Sequence, residues 1–176
     1  MTKSGTHAFG FFGYEWFKSK YPKVMQIKSI LTQDRTRAKW NSTSKKKLLE
    51  QLSYLFAQYC EGIDADELFT NLVEREKLGS TGIGEGIAIP HCRCNTGGET
   101  LGACITLDDP IDFDSADSRP VDLLFAMLVP ENAEAEHLET LANVAEAMQK
   151  AELVKHLREA SSDEQLFQLI TQQTSH

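Results

Sequence analysis

The histidine at position 91 follows a glycine-rich run, GSTGIGEG at residues 79–86, and a short apolar stretch at residues 87–90. A neutral imidazole is a nucleophile near physiological pH, and the N–P bond that it forms is labile enough to pass a phosphoryl group on. Glycines let backbone N–H groups approach phosphoryl oxygens, and Pro90 restricts the backbone just before the ring. These features are compatible with a phosphoryl acceptor at His91, but a histidine after a strand is more often an ordinary surface or core residue.

A transferring phosphoryl group needs positive charge or hydrogen-bond donors beside it. The sequence offers Arg75 and His137 for this purpose. Each also has a purely structural interpretation. Arg75 lies among charged neighbours in a predicted helix, which is typical of an exposed, salt-bridging residue, and His137 at a predicted helix start is compatible with a capping role.

A metal site is the main alternative, because His91, Cys92 and Cys94 form an H-C-x-C cluster. Further ligands are available at Cys60, Cys104 or His137. Structural zinc sites usually contain two spaced ligand pairs, whereas the sequence has one cluster, so zinc is the weaker hypothesis. A catalytic thiol is weaker still, since no pattern places a base beside Cys92 or Cys94. We therefore expect no metal and no cofactor.

Two nucleotide-binding patterns are excluded. The glycine run follows a predicted helix and precedes a strand, which is the reverse of the order in a dinucleotide-binding fingerprint. A Walker loop would end in Gly-Lys-Ser or Gly-Lys-Thr, and this run does not.

The composition is typical of one globular domain, with 176 residues, 41% apolar and 25% charged. The longest apolar run, residues 123–130, is far shorter than the roughly 20 residues of a bilayer span, so we expect no membrane insertion. Residues 1–24 differ in being rich in aromatic residues and lysine. Without the four lysines and one glutamate of this segment, the formal net charge falls from −8 to −11. Such an acidic body disfavours nucleic acid, and the four cysteines without a secretory signal favour the cytoplasm.

Hydrophobic periodicity predicts a small sheet covered by helices, an α/β fold. Residues 26–40 lack a clear pattern, and we expect an irregular lead-in with one helical turn near Ile30. Helices are predicted from Ser44 to Tyr59 and from Asp64 to Gly79, with capping residues at both starts. The remaining predicted elements are strands at residues 87–90, 101–107 and 121–129, and helices covering residues 138–148, 153–157 and 164–170.

Two stretches resemble a known family: REKLGSTGIGEGIAIPH, and PIDFDSADSRPVDLLFAMLVPENAEAEHLETLANVAEAM. They are similar to the mannitol/fructose type of enzyme IIA domains of the phosphotransferase system, and most of all to the nitrogen-regulatory branch. The resemblance runs from about Met25 to about Ile170. It implies an enzyme IIA domain at residues 25–176, an N-terminal extension of unknown role at residues 1–24, and a small mixed β-sheet sandwiched between helices.

The resemblance also implies roles for particular residues. His91 corresponds to the acceptor of a phosphoryl group from the phosphohistidine of HPr or its nitrogen-branch counterpart. His137 corresponds to a second active-site histidine beside it, and Arg75 to a residue that supplies positive charge. The loop that shapes the phosphoryl pocket corresponds to Gly82, Ile83 and Gly84. Family members often have glycine and a charged residue after the histidine, where this chain has Cys92-Arg93-Cys94.

The implied function is that of a cytoplasmic phosphorelay regulator that controls partner proteins according to its phosphorylation state. Potassium transport or sensor proteins are the kind of target that the resemblance suggests. The alternative is a transport component that passes the phosphoryl group to a IIB domain for fructose or mannitol. Asp122 is left open between neutralising a buried partner and orienting a group near the site.

Overall fold

The computed structural model describes residues 27–172, so the predicted N-terminal extension at residues 1–24 lies outside the described residues. In chain order the elements are β1 (Leu31–Trp40), α1 (Lys45–Tyr59), α2 (Ala65–Leu78), β2 (Gly82–Gly84), β3 (Ile87–Ala88), β4 (His91–Cys94), β5 (Leu101–Ile111), β6 (Val121–Pro130), α3 (Ala135–Ala147), α4 (Ala151–Glu159) and α5 (Asp163–Gln172). Among these helices, none has the length and apolar character needed to span a bilayer.

The strands form one mixed sheet in the order β1-β5-β6-β3-β2, and β4 also pairs with β6. Strands β3 and β4 both run parallel to β6 along the same edge, while β5 is antiparallel to it on the other side. At the outer ends, β1 is parallel to β5 and β2 is antiparallel to β3. The predicted mixed sheet between helices is confirmed.

The central strand β6 is buried on both faces, as its continuous apolar sequence predicts. Successive side chains of a strand point to opposite faces. The even-numbered residues of 123–128 accordingly belong to a core beneath α1 and α2, and the odd-numbered ones to a second core beneath α3, α4 and α5. Two hydrophobic layers therefore hold helices on both sides of the sheet.

The predicted helix starts are confirmed by their caps. The side chain of Ser44 accepts a hydrogen bond from the N–H of Lys47, and that of Asp64 accepts one from the N–H of Glu67. The Ser44 hydroxyl and the Asp64 carboxylate each satisfy an N–H group that has no partner within its helix.

The prediction of an irregular lead-in is wrong for residues 31–40, whereas the predicted helical turn near Ile30 is confirmed. Residues 27–30 are helical, but Leu31–Trp40 form strand β1. This strand pairs on one side only and buries polar residues, among them Arg35, whose Nε donates to the carbonyl of Gly102 at 2.9 Å. An edge strand with buried polar side chains shows no alternation of apolar and polar residues, and this explains why periodicity missed it.

The strand predicted at residues 87–90 is shorter and is followed by another. Strands β3 and β4 pair with consecutive parts of β6 and are separated by Ile89 and Pro90. Proline has no N–H to donate to a ladder, which accounts for the interruption. His91 therefore starts a new strand, and β2 lies inside the predicted glycine loop.

Candidate active site at the edge of the sheet

His91 is held rigidly at the start of β4. It lies opposite Met127 of β6, whose N–H donates to the carbonyl of Pro90 at 2.9 Å. The His91 ring contacts the carbonyl of Ile89, with Nδ1 and the oxygen 2.8 Å apart. Because a carbonyl oxygen only accepts, Nδ1 must carry the proton. The neutral ring consequently presents its lone pair on Nε2, which is the nitrogen available for a nucleophilic attack.

The surroundings of His91 favour its neutral form. Burial lowers the pKa of His91 below its ordinary value of 6.5, the Ile89 carbonyl acts in the opposite direction, and Arg75 adds a further lowering. The carboxylate of Glu76 raises the pKa. Burial penalises the charged imidazolium, so the ring is predominantly neutral at pH 7 and able to act as a nucleophile.

His91 lines a cavity of about 560 Å³ between α2 and α3. Two arginines, Arg75 of α2 and Arg93 of β4, line the same cavity. Leu78 and Leu138 also line it and are 84% and 47% exposed. A nucleophilic nitrogen with two permanent cations suits a dianionic group, and exposed leucines beside it are typical of a protein-binding surface.

The two arginines reach the cavity in different ways. Arg75 lies in the last turn of α2, where its Nη1 donates to the carbonyl of Gly79 at 2.9 Å. Arg93 is two residues after His91 in β4, so both side chains leave the strand on the same side, and its Nη1 donates to the carbonyl of Glu131. The sequence pattern pointed to Arg75 but not to Arg93, because no strand is predicted at residues 91–94.

His137 does not belong to the residues that line this cavity in the described part of the chain. It lies in the first turn of α3, and its Nδ1 is 2.7 Å from the hydroxyl oxygen of Thr100. The structure thus brings Arg75 and His91 together and gives His137 a different neighbour. The predicted role of His137 toward the phosphoryl group stays a prediction.

Two residues of the predicted pocket loop line a different cavity from that of His91. Ile83 and Gly84 line a second cavity, of about 710 Å³, together with residues of α4. Gly82 packs against Ser115, since a Cβ at this position would overlap the Ser115 hydroxyl. Close packing is thus one physical reason for this glycine, and contact between the loop and a phosphoryl group stays a prediction.

The environment of the cysteines beside His91 disfavours their thiolate form. All four cysteines are free and buried. Burial raises the pKa of Cys92 to about 12 and that of Cys94 to about 11. Within residues 27–172, no group of three or more His, Cys, Asp or Glu side chains is arranged to hold a metal ion. A thiolate, the form needed for catalysis or metal binding, is therefore disfavoured here.

Asp122 neutralises a partner away from His91. Its Oδ1 accepts hydrogen bonds from Nε and Nη2 of Arg158, at 3.0 and 2.9 Å. The same Arg158 donates to the carbonyl of Glu85 at 2.6 Å and lines the second cavity. Of the two roles that the sequence left open, the ion pair is the one that the structure shows.

Comparison with known proteins identifies similar chains. The family model described as "Phosphoenolpyruvate-dependent sugar phosphotransferase system, EIIA 2" matches residues 29–173. A nitrogen regulatory protein of Pseudomonas aeruginosa is 46% identical over 147 residues, which are 84% of this chain and 96% of that protein. The crystal structure of nitrogen regulatory protein IIA-Ntr from Neisseria meningitidis superposes with a TM-score of 0.76 at 37% identity, covering 82% of this chain and 99% of that one. The crystal structure of IIA mannitol from Escherichia coli shares the fold, with a TM-score of 0.64 at 18% identity over 80% of this chain and 98% of that one.

Proposed function

This chain belongs to the EIIA 2 family of the phosphoenolpyruvate-dependent sugar phosphotransferase system, and from that membership we propose that it is a phosphorelay regulator. His91 accepts a phosphoryl group from the phosphohistidine of an HPr-like carrier protein, and the phosphorylation state decides which proteins bind. The observation that supports this most directly is the bond from Nδ1 of His91 to the Ile89 carbonyl, which leaves Nε2 as the nucleophile in a cavity with two arginines.

The transfer is a direct displacement at phosphorus. The Nε2 lone pair of His91 forms a bond to the phosphorus atom, while the N–P bond to the carrier's ring breaks and its electron pair returns to the carrier's nitrogen. The proton stays on Nδ1, where it is donated to the Ile89 carbonyl. This hydrogen bond becomes stronger as the ring gains positive charge. Arg75 and Arg93 stabilise the charge on the phosphoryl oxygens, and this positioning of cations is the main contribution that a protein makes to phosphoryl transfer.

Regulation follows from the change of charge at this surface. A phosphoryl group adds about −1.5 to −2 charges at neutral pH. The added charge lies beside the exposed Leu78 and Leu138, so it changes both the potential and the hydration of the surface to which a protein would bind.

The targets are proteins of the kind that the resemblance suggests, such as potassium transport or sensor proteins. Four free cysteines fit the cytoplasm, where thiols stay reduced.

Reconstituted phosphorylation tests the proposal. The full chain is incubated with phosphoenolpyruvate, enzyme I and the HPr-like carrier, and we expect one phosphoryl group per chain that is labile in acid and stable in base. His91→Ala should abolish the labelling. His156→Gln is the matched control, because His156 is a partly exposed histidine of α4 that pairs with Glu159. Labelling that persists in His91→Ala would refute the proposal.

The transport alternative is tested in the same preparation. Isolated IIB domains of the fructose and mannitol type are added to the phosphorylated protein. Rapid loss of label from His91 to such a domain would favour the transport component. Retention of the label, together with protein partners that bind only one phosphorylation state, would favour the regulator.

A further inference from the structure

A buried carboxylate, Glu76, lies one residue after Arg75 at the end of α2. Its side chain is only 5% exposed, and its Oε2 is 2.7 Å from the Nζ of Lys45. The other hydrogen bonds that the carboxylate accepts come from one residue, Thr81. The Thr81 N–H donates to Oε1 at 3.0 Å, and the Thr81 hydroxyl donates to the same oxygen. A carboxylate this far from water is stable only because its charge is paired and its lone pairs accept hydrogen bonds.

Thr81 in turn is connected to the segment that holds His91. The carbonyl of Thr81 accepts a hydrogen bond from the N–H of Ile89 at 2.9 Å. The carbonyl of Ile89 is the acceptor for Nδ1 of His91, at 2.8 Å. Glu76 is thus linked to the His91 ring by three consecutive hydrogen-bonded steps, and Glu76, Thr81 and Ile89 are all buried.

We propose that Glu76 is a positioning residue for phosphoryl transfer, which acts through Thr81 and Ile89 to keep the proton of His91 on Nδ1 and the lone pair on Nε2. This inference rests on the proposed function. Glu76 does not line the cavity of His91, so apart from the charge by which it raises the pKa of the ring, its effect is on orientation. If the Ile89 carbonyl turned away, the ring would lose its only hydrogen-bond partner in the described residues and would populate the other neutral tautomer, whose Nε2 carries the proton and cannot attack.

The loop has a second attachment that is independent of Glu76. The Ser80 hydroxyl donates to the carbonyl of Phe113 at 2.7 Å, and the N–H of Gly82 donates to the Ser80 oxygen. Lys45 likewise keeps a bond to the Phe113 carbonyl. Loss of the Glu76 carboxylate should therefore loosen Thr81 and Ile89 while the chain stays folded.

The experiment compares Glu76→Ala and Glu76→Gln in the full chain, with Glu50→Gln as the matched control. Glu50 is a carboxylate of α1 whose side chain is 40% exposed and pairs with Lys47, outside the residues that line the cavity of His91. The first readout is the pair of ¹⁵N chemical shifts of the His91 ring in the unphosphorylated protein, which distinguishes the two tautomers. The second is single-turnover phosphoryl transfer from the carrier, which separates the maximal rate from the carrier concentration at half-saturation.

Glu76→Ala should populate the Nε2–H tautomer and lower the maximal transfer rate about tenfold, with little change in half-saturation, because orientation and not docking is affected. Glu76→Gln keeps one acceptor oxygen for Thr81 and should lose only about two- to threefold. Glu50→Gln should match the unaltered chain in both readouts.

Two results would overturn the inference. One is a folded Glu76→Ala protein whose tautomer is unchanged, which would make Glu76 purely structural. The other is equality of Glu76→Gln with Glu50→Gln in both readouts, and this comparison decides the question if Glu76→Ala does not fold. The tautomer measurement needs no phosphoryl donor, so a failure of the proposed function, in which even the unaltered chain takes up no label, is distinguishable from a failure of this inference.

Discussion

Replacement of Arg75 by glutamine tests how the cavity stabilises the transferring group. Arg75 lines the cavity with His91, and its charge lowers the pKa of that ring, so the two groups interact electrostatically. At an effective dielectric constant of about 20 and a separation of about 5 Å, one cation stabilises each unit of new negative charge by about 3 kcal/mol. That energy corresponds to a factor of about 10² in rate, in the range observed when one preorganised donor is removed.

The structural effect of the same substitution should be small. Arg75 donates one hydrogen bond, to the Gly79 carbonyl, and a bond of this kind contributes about 0.5–1.5 kcal/mol. The folded protein should therefore survive, and a loss of rate can be assigned to the site. Lys77→Gln is the matched control because Lys77 carries the same charge on the same helix and is 66% exposed.

The assay is the pH dependence of phosphoryl transfer from the carrier. Arg75→Gln should lower the maximal rate about 10²-fold and move the acid limb of the profile to higher pH, because the positive charge that lowers the pKa of His91 has been removed. Lys77→Gln should change neither quantity by more than about twofold. A rate for Arg75→Gln within that same twofold range, or an acid limb that moves to lower pH, would refute the reasoning.

Three further predictions follow from burial and packing. Because burial lowers the pKa of His91 below 6.5, transfer by the unaltered chain should keep more than half of its full rate at pH 6.5, and a midpoint of the acid limb above 6.5 would contradict this. Burial raises the pKa of Cys92 to about 12 and that of Cys94 to about 11. Iodoacetamide at pH 8 should therefore label the native protein at least about 10²-fold more slowly than the urea-unfolded chain. Comparable labelling rates would show that these thiols are accessible. In Gly102→Ala the new Cβ would lie 2.9 Å from Cε1 of Phe125. Urea denaturation should therefore reveal a loss of about 1–3 kcal/mol in the free energy of unfolding. An unchanged denaturation midpoint would argue against tight packing between Gly102 and Phe125.

Local signals in the sequence were sufficient for most of the fold. The apolar run of β6 predicted a strand buried on both faces, and helical periodicity with caps at Ser44 and Asp64 predicted α1 and α2. Strand β1 was missed because its stability comes from pairing with β5 and from a bond of the buried Arg35 to the distant Gly102 carbonyl. Contacts with residues that are distant in the sequence leave no hydrophobic periodicity in the residues of β1 itself.

The sequence by itself determined the chemistry that is possible here: an imidazole after a glycine-rich run, with Arg75 as a candidate cation. The tertiary structure decided how that chemistry is arranged. It placed Arg93 in the cavity of His91, directed His137 to Thr100, and aligned the Ile89 carbonyl with Nδ1. The division has a physical reason, because residue type sets which atoms can attack or carry charge, whereas the tautomer and the neighbouring cations depend on contacts between segments that only the folded sheet brings together.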